Sequence, residues 1–70
     1  MDWIETPESS NIVRYRYDEE SQTLEVEFKG GNIYQYFDVP IGLAEEFGMA
    51  PSKGQYFGQN IRNAFRYARA

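Results

Sequence analysis

The basic side chains are the residues of this chain best suited to bind a ligand, and they are unevenly placed. Residues 1–46 carry all eleven acids and three basic residues, a net charge of −8, whereas residues 47–70 carry four basic residues and no acid, a net charge of +4. Such asymmetry is typical of an interaction surface, although the acidic part can equally pack against the basic part. The basic residues of the second part are Lys53, Arg62, Arg66 and Arg69.

The segment Ser52-Lys53-Gly54 predicts a local anion site. Ser52 suits the N-cap of a helix, and Gln55 three residues later completes a capping-box pattern. A helix N-terminus presents free N–H groups to an anion, Lys53 adds a positive charge, and Gly54 permits close approach of the backbone. The alternative interpretation is a capped helix that carries a solvated lysine.

Arg62, Arg66 and Arg69 recur at intervals of four and three residues, which predicts one polar stripe on a helix, opposite Phe57 and Ile61. A basic stripe of this kind is typical of contacts with a phosphate backbone or an acidic partner. Two other interpretations stay open. Basic residues late in a helix complement its dipole, and the acids at positions 45 and 46 can neutralise them.

Tyr34 and Tyr36 share one face of a predicted strand and are candidate stacking contacts for a nucleic-acid base, with Tyr56 as a third candidate. Two registers are compatible with the turn at residues 30–31. One places the tyrosines on an acidic face beside residues 25 and 27. The other has a three-residue loop and buries the tyrosines in the core.

Several functions are excluded by what the chain lacks. It has no His and no Cys, so Cys/His zinc sites and nucleophile pairs that use His or Cys are impossible. The adjacent acids Glu19-Glu20 and Glu45-Glu46 diverge on a strand or helix, so they do not form a catalytic pair or a metal site. We therefore expect no catalysis, no metal and no cofactor. No apolar run approaches a membrane span, and we expect a cytoplasmic protein.

The elements that must position these residues form an α+β domain. Alternating apolar residues predict strands at 12–17, 23–28 and 33–37, which form a three-stranded antiparallel meander. Two short helices follow and pack on its apolar face. The second continues through Phe57, Ile61, Ala64 and Phe65 to Ala68, or ends earlier and leaves residues 67–70 as a frayed tail. Pairing Tyr15 with residue 26 or 24 places Arg14 and Arg16 on the other face of the sheet, across from the acids at 25 and 27.

The domain boundaries predicted from the sequence are simple. Residues 1–10 form a partly ordered arm, in which Trp3 and Ile4 dock back on the body, and residues 11–70 form a single domain. Twelve aromatic residues supply the apolar area that so short a chain needs for a core.

The order of several short motifs resembles the KTSC domain. The match covers about residues 9–67 and rests on these segments: Ser9-Ser10-Asn11-Ile12, Thr23-Leu24-Glu25-Val26-Glu27-Phe28, Gly31, Tyr34-Gln35-Tyr36, Val39-Pro40, Ala50-Pro51-Ser52-Lys53-Gly54-Gln55-Tyr56-Phe57 and Asn60-Ile61-Arg62. The family is named for the C-terminal extension of some lysyl-tRNA synthetases and also occurs as small bacterial and phage proteins. The resemblance therefore implies a small fold and, through the synthetase context, RNA binding.

We thus expect a small binding module without catalytic activity. The first hypothesis is RNA binding, tRNA-like, through Lys53, Arg62, Arg66 and Arg69. The alternative is a module that binds a protein partner or a second copy of itself, since the chain is rich in aromatic residues and has little interior.

Overall fold

The computed structural model describes residues 3–7 and 11–70, which form an antiparallel sheet covered on one face by two helices. Its described strands pair in the order β1-β2-β3-β4-β5. The element bounds are β1 Ile4–Glu5, β2 Ile12–Asp18, β3 Thr23–Phe28, β4 Ile33–Tyr36, α1 Ile41–Met49, α2 Lys53–Asn60 and β5 Tyr67–Arg69. The predicted α+β class is confirmed. The predicted count of three strands is wrong, because a short strand is added at each edge of the meander.

The pairing of β2 with β3 follows from matching apolar faces. Tyr15 lies opposite Val26, and on the other face Arg14 lies opposite Glu27. Both arginines of β2 form the predicted ion pairs, Arg14 with Glu27 and Arg16 with the acid at position 25. These two cations are thus neutralised within the sheet.

The β3–β4 hairpin has the three-residue loop. The N–H of Phe28 donates to the carbonyl of Asn32 at 2.9 Å, and the loop residues Gly30 and Gly31 have φ values of 100° and 92°, which only glycine adopts without strain. Tyr34 therefore lies opposite the buried residue 26, and Tyr36, opposite residue 24, is 3% exposed. Of the two registers left open by the sequence, the structure has the one that turns both tyrosines toward the helices.

The core lies between the sheet and the two helices. Phe47 from α1 and Phe57 from α2 pack against side chains from β2, β3 and β4, and Tyr15 meets Phe47 edge-on with ring centroids 4.8 Å apart. The fully buried residues include Ile12, Leu24, Val26, Val39 and Ile61. Within the described residues no helix is both long enough and apolar enough to cross a membrane.

The predicted continuation of the second helix is wrong. Helix α2 ends at Asn60, and after a turn the chain becomes the edge strand β5, in which Ala68 lies opposite Gln35. Arg62, Arg66 and Arg69 therefore lie in the turn, at the entry to β5 and within β5. They do not form a stripe on a helix face.

The face of the sheet away from the helices is covered by no described helix and carries stacked polar and aromatic groups. The guanidinium groups of Arg14 and Arg16 each lie 4.4 Å from the ring centroid of Trp3. Strand β1 follows directly and pairs with β2, placing Ile4 opposite Tyr15. The extent of the predicted arm, residues 1–10, falls partly outside the described residues.

Candidate functional site

A cleft opens between the β3–β4 hairpin and helix α2, which we call the hairpin–helix cleft. Its volume is about 290 Å³. Its walls are the polar loop residues before β2 and before β4, the aromatic residues of the hairpin, and the first two turns of α2. The lining residues are Asn11, Phe28, Asn32, Tyr34, Tyr36, Gly54, Phe57, Gly58 and Arg62.

The floor of the cleft is a set of aromatic rings that meet edge to face. The ring of Phe57 lies 5.2 Å from that of Phe28 and 5.2 Å from that of Tyr36, and Phe28 meets Tyr34 at 5.9 Å. Edge-to-face packing fixes the orientation of each ring, so the floor is formed before any ligand arrives.

Arg62 is the charged residue of the cleft lining among the described residues. Its backbone N–H donates to the carbonyl of Phe57 at 2.9 Å, which anchors the residue at the end of α2. Within residues 3–7 and 11–70 its guanidinium makes no ion pair and no hydrogen bond to a side chain. Arg62 therefore offers a full positive charge and its N–H donors to a ligand.

The hydroxyl of Tyr36 is the second polar group at this site. Burial raises its pKa above the ordinary value of 10.0, the neighbouring Tyr67 and Tyr34 raise it further, and Arg62 opposes them. The hydroxyl thus stays protonated at neutral pH and can donate a hydrogen bond. It makes none to the part of the chain that the structure describes.

Strand β5 contacts two residues that line the cleft, Tyr34 and Asn32. The ring of Tyr67 lies parallel to that of Tyr34, with centroids 5.8 Å apart, and Tyr67 is 59% exposed. Next to it, Arg69 donates from Nη2 to the side-chain oxygen of Asn32, which itself lines the cleft. An exposed aromatic ring and a second cation therefore contact residues that line the cleft.

The segment Ser52-Lys53-Gly54 lies partly at the cleft. The Ser52 hydroxyl accepts a hydrogen bond from the N–H of Gln55 at 3.3 Å, as expected for an N-cap, and Gly54 lines the cleft. Lys53 turns back, since its Nζ donates to the carbonyl of Ala50 at 3.4 Å. The structure thus brings Gly54 toward Arg62 and leaves Lys53 outside the lining.

Other predicted site residues are held elsewhere. Arg66 pairs with Asp38 at 2.7 Å, and Tyr56 lies outside the lining, with its hydroxyl donating to Glu46 at 2.8 Å. Burial raises the pKa of Tyr56, and the hydrogen bond to Glu46 raises it further. Glu46 thus bonds to Tyr56 and forms no ion pair with Arg62 among the described residues.

Sequence reasoning did not single out Asn11, Asn32 and Tyr67 as site residues. Asn11 lies in one of the segments that carry the resemblance to the KTSC domain, and this position could have marked it as a site residue. Asn32 follows the predicted turn at residues 30–31 and has no other feature that would indicate a binding role. Tyr67 carried no signal, since a three-residue strand is too short to show alternation.

Comparison with known proteins assigns the family. The model of the KTSC domain matches residues 8–65. The chain belongs to the KTSC domain family. A crystal structure of a KTSC domain protein from Yersinia pestis superimposes with a TM-score of 0.91 at 31% sequence identity, covering 99% of this chain and 96% of that one.

The sequence relatives include much longer proteins. Lysine–tRNA ligases of Trichormus variabilis and of a Nostoc species are 51% and 52% identical to this chain over 61 residues. That stretch is 87% of this chain and 11% of each ligase. An uncharacterised protein of Stutzerimonas stutzeri is 38% identical, with 89% of both chains covered. This KTSC domain thus resembles both a small part of a ligase and a protein of its own size.

Segments that carry the KTSC resemblance are distant in the sequence and meet at the hairpin–helix cleft. Asn11 comes from the first, Tyr34 and Tyr36 from the central one, and Gly54 and Arg62 from the last two. The hairpin register and the packing of α2 bring them together, so the cleft is the candidate functional site of this domain.

Proposed function

We propose that this KTSC domain binds single-stranded RNA at the hairpin–helix cleft, without catalysing a reaction. The observation that carries the proposal is the guanidinium of Arg62, which forms no ion pair within residues 3–7 and 11–70 and lies beside an aromatic floor. Arginine pairs with phosphates and stacks on bases, and tyrosine rings stack with any base. The lysine–tRNA ligases among the relatives support RNA as the ligand, because their substrate is an RNA.

The size and charge of the site set the scale of the interaction. A cleft of about 290 Å³ suits one nucleotide, with Tyr67 at the rim for the next base. Within the described residues Arg62 lines the cleft, and Arg69 bonds to the lining residue Asn32, so few phosphates are neutralised. We expect weak binding in which about two phosphates are neutralised. A plot of the logarithm of the binding constant against the logarithm of the salt concentration should then have a slope near −1.4 for a single strand.

Fluorescence anisotropy with a labelled single-stranded RNA of mixed sequence tests the proposal. Arg62→Ala removes the unpaired cation and should weaken binding about tenfold, since hydrogen bonds to charged groups contribute about 1.5–3 kcal/mol. Tyr67→Ala removes the exposed ring, and a lost stack costs roughly 1–3 kcal/mol per base.

Arg66→Ala is the matched control, because it also removes one arginine but acts at the ion pair with Asp38. It should leave the affinity nearly unchanged. Absence of binding at about 50 mM salt, or equal losses in the Arg62 and Arg66 variants, would show that RNA is not the ligand of the cleft.

A further inference from the structure

Strand β5 leaves one row of backbone groups without partners in the described part of the chain. The N–H of Phe37 donates to the carbonyl of Arg66 at 2.9 Å, and the N–H of Ala70 donates to the carbonyl of Ile33 at 2.8 Å. Backbone groups alternate in direction along a strand, so those of Ala68 also face β4. The N–H and carbonyl groups of Tyr67 and Arg69 therefore point away from the sheet.

Apart from its length of three residues, this edge lacks the usual protection against pairing with another strand. Edge strands are commonly blocked by outward charges, prolines or bulges. The opposite edge follows this rule, since β1 has two residues and Pro7 stands close behind it. The two arginines near β5 do not block its edge, because Arg66 is drawn to Asp38 and Arg69 to Asn32.

We propose that β5 pairs antiparallel with β5 of a second copy of this chain, about a two-fold axis at Ala68. This register places Tyr67 opposite the partner's Arg69, and both residues have their backbone groups directed outward. Each such pair forms two hydrogen bonds, so the two symmetric pairs form four. The two Ala68 residues then face each other at the closer, non-hydrogen-bonded spacing, about 4.5 Å between Cα atoms, which a small side chain permits.

The side chains favour a second copy over an unrelated peptide. Tyr67 and Arg69 lie on the same face of the sheet, so the pairing sets the stem of each arginine beside the partner's exposed tyrosine ring, twice by symmetry. An acidic peptide would have to displace Asp38 from Arg66 and Asn32 from Arg69, whereas a second copy leaves both contacts in place. Because the shared edge is three residues long, the dimer is weak and depends on protein concentration.

Sedimentation velocity with charge variants at Ala68 tests the register. Ala68 is exposed and lies next to Gln35 on the face without helices, so Ala68→Glu and Ala68→Lys are expected to fold normally, as far-UV circular dichroism can check. In the dimer each places two like charges directly opposite one another. We expect the wild-type protein to associate as its concentration rises, each variant alone to stay monomeric, and an equimolar mixture of the two variants to associate again.

Gln59→Glu is the matched control, since it adds one negative charge at an exposed position on α2 and should associate like the wild type. Amide hydrogen exchange supplies a second readout. The amides of Tyr67 and Arg69 should exchange more slowly as the concentration rises, whereas that of Ala68 is already bonded to β4 and should not change. A wild-type protein that remains monomeric at millimolar concentration, or association that survives both single variants, overturns the proposal. Neither outcome bears on RNA binding at Arg62.

Discussion

At the scale of the residue, Gly48 decides how closely α1 approaches the sheet. A Cβ atom added at this position would lie 2.9 Å from the hydroxyl oxygen of Tyr15, closer than such contacts occur. Tyr15 cannot move easily, because its ring is buried against Phe47. Gly48→Ala should therefore destabilise the domain although alanine is the better helix residue.

Because of the same contact, Gly48→Ala should change the stability in the opposite direction when Tyr15 is replaced by Phe. In Tyr15→Phe the hydroxyl is gone and the nearest ring carbon is 3.9 Å from the added Cβ. There Gly48→Ala should stabilise the domain by about 0.5–1 kcal/mol, the usual advantage of alanine in a helix. Urea unfolding of the four proteins gives the coupling. If Gly48→Ala changed the free energy of unfolding equally with Tyr15 and with Phe at position 15, the clash with the Tyr15 hydroxyl would be refuted.

The carboxyl group of Glu25 should make the stability of the fold depend on pH. Burial alone would raise the pKa of this carboxyl, but hydrogen bonds from Arg16 and Gln35 outweigh burial and bring the pKa below its ordinary value of 4.5. Since the folded state then favours the charged form, this contribution is present above pH 4.5 and is lost as the pH falls through the lowered pKa.

Glu25→Gln should therefore make the loss of stability between neutral and acid pH smaller than in the wild type. Thermal unfolding over that pH range measures it. Glu45→Gln, at an exposed position on α1, is the control and should keep the acid sensitivity of the wild type. An unchanged pH profile in Glu25→Gln would contradict the role of the Arg16 and Gln35 contacts.

At the scale of the element, the N-cap of α2 is the clearest case in which sequence fixes a boundary. The Ser52 hydroxyl accepts the N–H of Gln55, and α1 ends only a few residues earlier. Ser52→Ala should cost about 1 kcal/mol, which lowers the melting temperature by roughly 4–8 °C in a domain of this size. Ser52→Asp keeps an acceptor and should melt close to the wild type. Equal melting of both variants would show that the cap contributes nothing.

The elements differ in how far they could be predicted. Strand β3 alternates six residues in strict order, and charges opposite one another on β2 and β3 fix their register. Strand β5 could not be predicted, because the apolar spacing from Phe57 through Ala68 also fits a helix. The segment forms a strand and not a helix because it pairs with β4, and this pairing joins residues that are distant in the sequence.

The candidate site was predictable only in its parts. Arg62 and the central tyrosines stood out by type and by the resemblance, but their convergence depends on a three-residue loop in the β3–β4 hairpin. The predicted stripe of arginines on a helix was wrong for the same reason that β5 was not predicted, since the apolar spacing after Phe57 also fits a helix. The charge of Lys53 predicted a contact with an anion, but its side chain is long enough to fold back, and its Nζ donates to the carbonyl of Ala50.

At the scale of the whole molecule, the sheet should unfold from its β1 edge. Strand β1 has two residues and, among the described strands, pairs only with β2, and the guanidinium groups of Arg14 and Arg16 lie over the ring of Trp3 beside it. Short elements with few buried contacts open first. Because Trp3 is the single tryptophan, its fluorescence in urea should change at a lower midpoint than the far-UV ellipticity. Coincident midpoints would place β1 in the same cooperative unit as the core.

The strand order has a consequence for the speed and sequence of folding. Strands β2, β3 and β4 are joined by short turns, so their pairing closes only small loops, whereas β5 must wait for a chain that includes both helices to bring it beside β4. Closing the longer loop costs more entropy before any contact repays it. We therefore expect the barrier to folding to be crossed with the central hairpins formed and β5 still detached. Substitutions at Val26 would then slow folding, whereas substitutions at Tyr67 would mainly speed unfolding.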